Sequence, residues 1–242
     1  ATGTTTFIWN FGQDSSFAGA KTAQGNQDGN GIGDFFYAPP SGFLALCTKN
    51  LPDVAVTPSE HFNTVLWTGN GSSQSISSLE FQPDFTWIKS RSIVDSHHLF
   101  DSVRGAGQRL RSDTSAAENY NETAYLTSFD SDGFSLGGDD GVNKNTATYV
   151  AWNWKANGSG SSNTDGDITS TVSVNADAGF SIVGYTGNGN AGQTIGHGLS
   201  KAPEMMWIKN RSDDDNWVVY VKTGGVIDET DKLRLDTTMA LV

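Results

Sequence analysis

The chain has 242 residues and a formal charge of −12, from 15 Lys and Arg against 27 Asp and Glu, which argues against general binding to phosphate backbones. Hydrophobic residues make up 36%, with 13 Phe, 7 Trp and 6 Tyr; this is enough for packed cores and excludes a disordered acidic tail. The single cysteine, Cys47, excludes an internal disulfide and a Cys-rich zinc site, and no apolar run approaches the roughly 20 residues that span a bilayer.

Near the N-terminus, Asn26-Gln27-Asp28-Gly29-Asn30-Gly31-Ile32-Gly33-Asp34 places oxygen-bearing side chains at the first, third, fifth and ninth positions of a loop, with Gly at the sixth. That spacing is the EF-hand calcium pattern. Asn26, Asp28, Asn30 and Asp34 are therefore the candidate calcium ligands. Against this, the twelfth position is Tyr37 and no flanking helices are evident, so a Gly/Asn-rich turn is the competing reading.

Helical periodicity is almost absent along the chain. Short runs rich in Thr, Val, Ile and aromatics recur at 62–68, 85–91, 124–129, 148–155, 180–186 and 205–209, separated by Gly, Asn, Asp and Ser clusters. Regular alternation of strand and turn signals predicts an all-β sandwich or barrel. In the 85–89 run, alternation puts Phe85, Trp87 and Lys89 on one face and Thr86 and Ile88 on the other.

The strongest signal is an internal repeat. Phe62-Asn63-Thr64-Val65-Leu66-Trp67-Thr68-Gly69-Asn70-Gly71 returns as Phe180-Ser181-Ile182-Val183-Gly184-Tyr185-Thr186-Gly187-Asn188-Gly189. Pro83-Asp84-Phe85-Thr86-Trp87-Ile88-Lys89 returns from Pro203, and Leu110-Arg111-Ser112-Asp113-Thr114 returns as Leu233-Arg234-Leu235-Asp236-Thr237. Two copies of one module are expected, at 62–155 and 180–242. The second lacks counterparts of the last strands of the first, so it reads as truncated and its open edge needs a partner chain or a longer polypeptide. Residues 52–61 read as a linker. Residues 156–179 read as a Gly/Ser/Asn/Asp-rich flexible linker and lead-in.

Chemistry is sparse. Sugar hydrolases set two carboxylates across a cleft, and neither Glu80 with Asp84 nor the Asp228-Glu229-Thr230-Asp231 loop supplies that pattern. His97 and His98, as adjacent strand residues, point to opposite faces. No enzyme is expected. The one basic cluster, 104–111, makes Arg104 and Arg109 candidates for binding an anionic glycan through guanidinium contacts; pairing with nearby Asp101 and Asp113 is the alternative. Aromatic side chains stack on sugar rings. Trp87 and Trp207 occupy equivalent strand positions and read as core, as do Trp152 and Trp154. Trp217, aligned with His98 and preceded by three aspartates, is the candidate exposed ligand-binding aromatic.

Two stretches carry a family resemblance. Trp9-Asn10-Phe11-Gly12-Gln13 followed by Pro39-Pro40-Ser41-Gly42-Phe43-Leu44-Ala45-Leu46 resembles the closing strands of a SPRY domain, placed at 1–51. From Phe62 on, the Thr-Gly-Asn-Gly turn, Trp-Ile-Lys-x-Arg-Ser, Asp101-Ser102-Val103-Arg104-Gly105-Ala106-Gly107 and Phe129-Asp130-Ser131-Asp132-Gly133-Phe134 resemble modules of marine tailed-phage virion proteins that accompany SPRY-like and concanavalin-like lectin domains. The resemblance implies tandem jelly-roll-type β-sandwiches in a virion structural protein, a segment of a tail fibre or surface appendage. Its implied partners are other virion proteins, copies of itself and host surface glycans. No nucleic acid, membrane insertion or cofactor other than the calcium raised above is implied. A carbohydrate-binding module of a secreted or cell-surface bacterial protein and a capsid-decorating protein stand as alternatives.

Overall fold

A computed structural model describes residues 7–52, 56–222 and 233–238. The chain divides into two compact units, Ala1–Ala55 and Val56–Val242.

In the first unit, turns replace the expected closing strands. The described residues hold one antiparallel bridge, Asn26 to Phe35, and one 3-10 turn at Thr48–Asn50. A strand needs a neighbour to satisfy its backbone, and here side chains do that work instead. Asn10 Oδ1 accepts from Gly12 N at 2.7 Å, and Leu46 N donates to Phe11 O at 3.0 Å, so both halves of the SPRY-like signature lie side by side. Gly12 has φ +96°, and a Cβ there would sit 2.7 Å from that of Ala45, so only glycine fits.

The second unit is all-β, built from antiparallel sheets with no closed barrel. Its first part is a two-layer sandwich. One layer has six strands: β1 (Phe62–Thr68), β3 (Phe85–Ser90), β4 (His97–Asp101), β5 (Gln108–Arg111), β6 (Asn119–Tyr120) and β9 (Thr148–Trp154). Their order is β1-β9-β3-β4-β5-β6. The covering layer is β2 (Gln74–Ile76), β8 (Gly133–Leu136) and β7 (Leu126–Asp130), in that order. Alternation turns Trp67, Ile88, Phe100, Tyr149 and Ala151 inward, onto Ile76, Leu126, Phe134 and Leu136. Trp67 stacks on Tyr149 with centroids 5.4 Å apart. One turn of helix, α1 (Asp140–Asn143), closes the end of the sandwich, capped by Asp139 accepting from Gly141 N.

Asn143 is fully buried and latches that end. Its amide nitrogen donates to Asn70 Oδ1, Ser72 O and Gly137 O, and its oxygen accepts from Asn70 N. A Cβ on Gly69, the glycine of the Thr-Gly-Asn-Gly turn, would lie 2.2 Å from Lys144 O. The turn is thus pressed against the chain after α1.

Residues 156–179 differ from the expected flexible linker. They contain β10 (Ser161–Asn163) and β11 (Ser170–Asn175), which pair with β12 (Phe180–Tyr185) as a three-stranded sheet. Alternating Val172 and Val174 supply apolar packing that a count of Gly and Ser overlooks, and Ser173 Oγ accepts from Asn157 N at 2.8 Å.

A further sheet holds β13 (Met205–Ile208), β14 (Val218–Val221) and β15 (Leu233–Arg234). It repeats β3-β4-β5 in register: Trp87 pairs with Leu99 and Leu99 with Leu110, as Trp207 pairs with Val219 and Val219 with Leu233. Hydrogen bonds repeat as well. Asp113 Oδ1 accepts from His97 N, and Asp236 Oδ1 from Trp217 N. Trp217 therefore corresponds to His97, not to His98 as the sequence alignment placed it. Among the described residues no second covering sheet lies on β13-β14-β15, so the repeat forms one complete sandwich and two separate three-stranded sheets.

Candidate functional site

The two copies meet through the outer face of the six-stranded sheet. Trp87 and Trp207, equivalent residues, contact edge to face with centroids 5.4 Å apart. Trp152 meets Trp87 at 5.9 Å, and Phe180 packs on Phe85 and Trp154 at 6.2 Å. The alternation that sends Thr86 and Ile88 into the sandwich sends these rings outward. Trp87 Nε1 donates to His97 Nδ1 at 2.9 Å, which leaves the imidazole proton on Nε2. Burial lowers the His97 pKa, partly countered by Asp113.

One edge of this aromatic seam carries an ionic joint. Glu118 accepts from Arg211 Nε and Nη2 at 3.0 and 2.7 Å and from Arg104 Nη1 at 3.0 Å, while its backbone N donates to Arg211 O. Burial pushes the Glu118 carboxyl up, but the hydrogen bonds from Arg211 and Arg104 outweigh it and hold the pKa below its usual value. The seam offers π surface and apolar area, with Trp207 remaining 36% exposed. It is a surface for stacking and packing.

A model of a domain of unknown function, DUF7483, matches residues 57–242. The chain belongs to that family. No curated protein and no solved structure matches the chain. The DUF7483 region thus holds both copies and the whole seam.

Within the DUF7483 region, the sequence-predicted binding residues are corrected by their surroundings. Trp217 is 5% exposed, packed with Leu99 and Leu110, and its Nε1 donates to Arg111 O at 2.8 Å. Three preceding aspartates suggested exposure, but Trp217, just before β14, is buried together with Val219 two residues on. Arg104 is buried and bonded to Asp101 Oδ2, Gln108 O, Glu118 and Leu99 O, so its guanidinium is a structural clamp. Arg109 lies 3.9 Å over the Tyr125 ring and 3.4 Å from Asp139. Neither arginine presents a free fork to a ligand. Trp207, read as core, is instead the half-open indole of the seam, packed on Trp87 on the face opposite to Met206 and Ile208.

In the first unit, the calcium candidates Asn26, Asp28, Asn30 and Asp34 all make hydrogen bonds within the chain. Asp28 accepts from Asn30 N, Ile32 N, Ala45 N and Asn50 Nδ2. The Ala45 bond leads, against the cost of burial, in lowering its pKa to about 2. Asn26 donates to Phe35 O and Phe36 O, Asn30 to Asn50, and Asp34 Oδ2 accepts from Ser15 N. Only Asp34 Oδ1 is buried without a partner, and calcium takes about 6–8 oxygens. An aspartate-centred turn accounts for the spacing. The loop Asp228-Glu229-Thr230-Asp231 lies outside the described residues.

One group escaped sequence reading. His98 is buried in the sandwich with both ring nitrogens unpartnered and Asp95 Oδ1 3.6 Å away. Burial, then Arg109, lowers its pKa to about 4. A Cβ on Gly141 would lie 2.5 Å from His98 Nε2, so α1 carries a glycine where the imidazole needs room. The adjacent His-His pair hinted only that one ring must point inward.

Proposed function

We propose that this DUF7483 protein is a structural component of a virion, a segment of a phage tail fibre or surface appendage whose role is architectural and adhesive rather than catalytic. The observation that carries the reading is the seam joining Trp87 to Trp207. Through it a duplicated module is packed as one body, which is how repeated sandwiches build length. The spent polar groups agree with this: Arg104, Arg109, Asp28 and Trp217 all act on the chain's own backbone or side chains. Adhesion to host glycans is assigned to stacking on exposed aromatic surface.

Density-gradient fractionation of the source material, with peptide mass spectrometry on each fraction, tests the proposal. Peptides of this chain should co-band with DNA-containing particles. Their confinement to soluble or cell-envelope fractions would sink the virion role. A glycan array on the same protein tests adhesion, with Trp207→Ala expected to abolish selective binding.

A further inference from the structure

The first copy shows what the second one is built to receive. In the first copy, β9 lies between β1 and β3 and pairs with both. In the second copy, the counterparts β12 and β13 are not paired with each other: β12 pairs with β11 and β13 with β14. Among the described residues the second edge of β13 has no strand, although the first copy pairs that edge of β3 along its whole length.

The backbone phase fixes which groups face this edge. Lys222 N donates to Glu204 O at 2.7 Å, as Ser102 N donates to Asp84 O at 2.9 Å in the first copy. Backbone polar groups alternate sides along a strand, so Glu204, Met206 and Ile208 address β14. Met205 and Trp207 address the open edge. Side chains on both faces of β13 stay accessible: Met205, Met206 and Ile208 are exposed, and Trp207, although packed on Trp87, is still 36% exposed. Four consecutive exposed apolar residues on a strand with one open edge make a template for strand addition.

We propose that the open edge of β13 accepts an antiparallel strand of the β9 type. The occupant's pattern follows from the register in the first copy, where Ile88, Trp87, Thr86 and Phe85 face Ala151, Trp152, Asn153 and Trp154. Opposite Ile208, Trp207, Met206 and Met205 the added strand carries Ala, Trp, Asn and Trp. The small residue lies beside Ile208 on the face that is interior in the first copy. The two tryptophans extend the seam on the other face. The assignment holds whether or not the protein is a virion component.

The test uses a labelled peptide with the sequence of residues 146–156 and the whole chain of residues 1–242. Fluorescence anisotropy measures binding, and amide hydrogen exchange locates it. The peptide should bind and slow exchange at Met205 and Trp207, leaving β1 and β3 unchanged. Met205→Pro removes an edge donor and should weaken binding by about tenfold or more. If that variant does not fold, the exchange pattern of the unaltered chain decides. The proposal is overturned by no binding, by equal binding of a peptide of scrambled order, or by protection only elsewhere. It is also overturned if the chain alone is a dimer with Met205 and Trp207 already protected, since a second copy would then hold the edge by another strand.

Discussion

The two copies of the repeat share registers and turn hydrogen bonds, yet equivalent residues live in different surroundings. Ile88 is fully buried and Ile208 is 41% exposed; Trp67 is 8% exposed and Tyr185 43%. The difference is the covering layer: β2-β8-β7 and α1 lie over the first copy, and no counterpart lies over the second among the described residues. Strand sequence therefore sets the β3-β4-β5 register that β13-β14-β15 repeats, while burial at the same position depends on what the rest of the chain lays across it.

Matched substitutions break or sharpen this comparison. Ile88→Ala should cost about 2–5 kcal/mol in denaturant unfolding, as a cavity in a closed core does. Ile208→Ala should cost under about 1 kcal/mol, because the side chain is still wet. Equal costs would mean that the second copy is covered in solution. Gly69→Ala comes next, at about 3 kcal/mol, since its Cβ would strike the backbone at Lys144. A Cβ on Gly187 meets nothing within 4 Å, so Gly187→Ala should leave the unfolding midpoint unchanged or slightly raised.

His98 supplies a pH test confined to the first copy. Its folded pKa, about 4, lies below the ordinary value of 6.5. The stability it represents is therefore present above pH 6.5 and lost as pH falls toward 4, because the unfolded state binds the proton first. The loss should be of order 3 kcal/mol, read as a falling thermal midpoint. His98→Leu should flatten that slope. The smallest effect belongs to the joint between copies: Arg211→Ala should cost up to about 1 kcal/mol, as a half-exposed ion pair does. Adding salt should shrink the difference between the wild type and this variant.

Much of the fold was legible in sequence. Alternation in the 85–89 run separated Thr86 and Ile88 from Phe85, Trp87 and Lys89, as the strand has them, but the sequence read Trp87 as core, and the structure turns it to the outer face. The repeated motifs aligned β1 with β12, β3 with β13 and β5 with β15. The strands at 161–163 and 170–175 were hidden because their own residues are mostly Ser, Thr and Asn, which also make loops. The candidate site fared worse. Calcium-like spacing at Asp28 and the polar approach to Trp217 were local patterns, and each was decided by remote groups: Ala45 and Asn50 for the first, Leu99, Leu110 and Arg111 for the second.

The Thr-Gly-Asn-Gly turn divides the two kinds of information. Asn70 Oδ1 accepts from Ser72 N, and Asn188 Oδ1 accepts from Asn190 N. This two-residue bond needs nothing beyond the local chain, and both copies form it, so the sequence by itself determined the turn. Among the described residues, the latch from buried Asn143 onto Asn70, Ser72 and Gly137 exists only in the first copy. Its bonds to Asn70 and Ser72 join residues more than seventy positions apart, and no periodicity records such a meeting. Local hydrogen bonding and alternation act over a few residues and are written in order along the chain. Burial and long-range satisfaction depend on which layer arrives on top, and only the tertiary structure decided that.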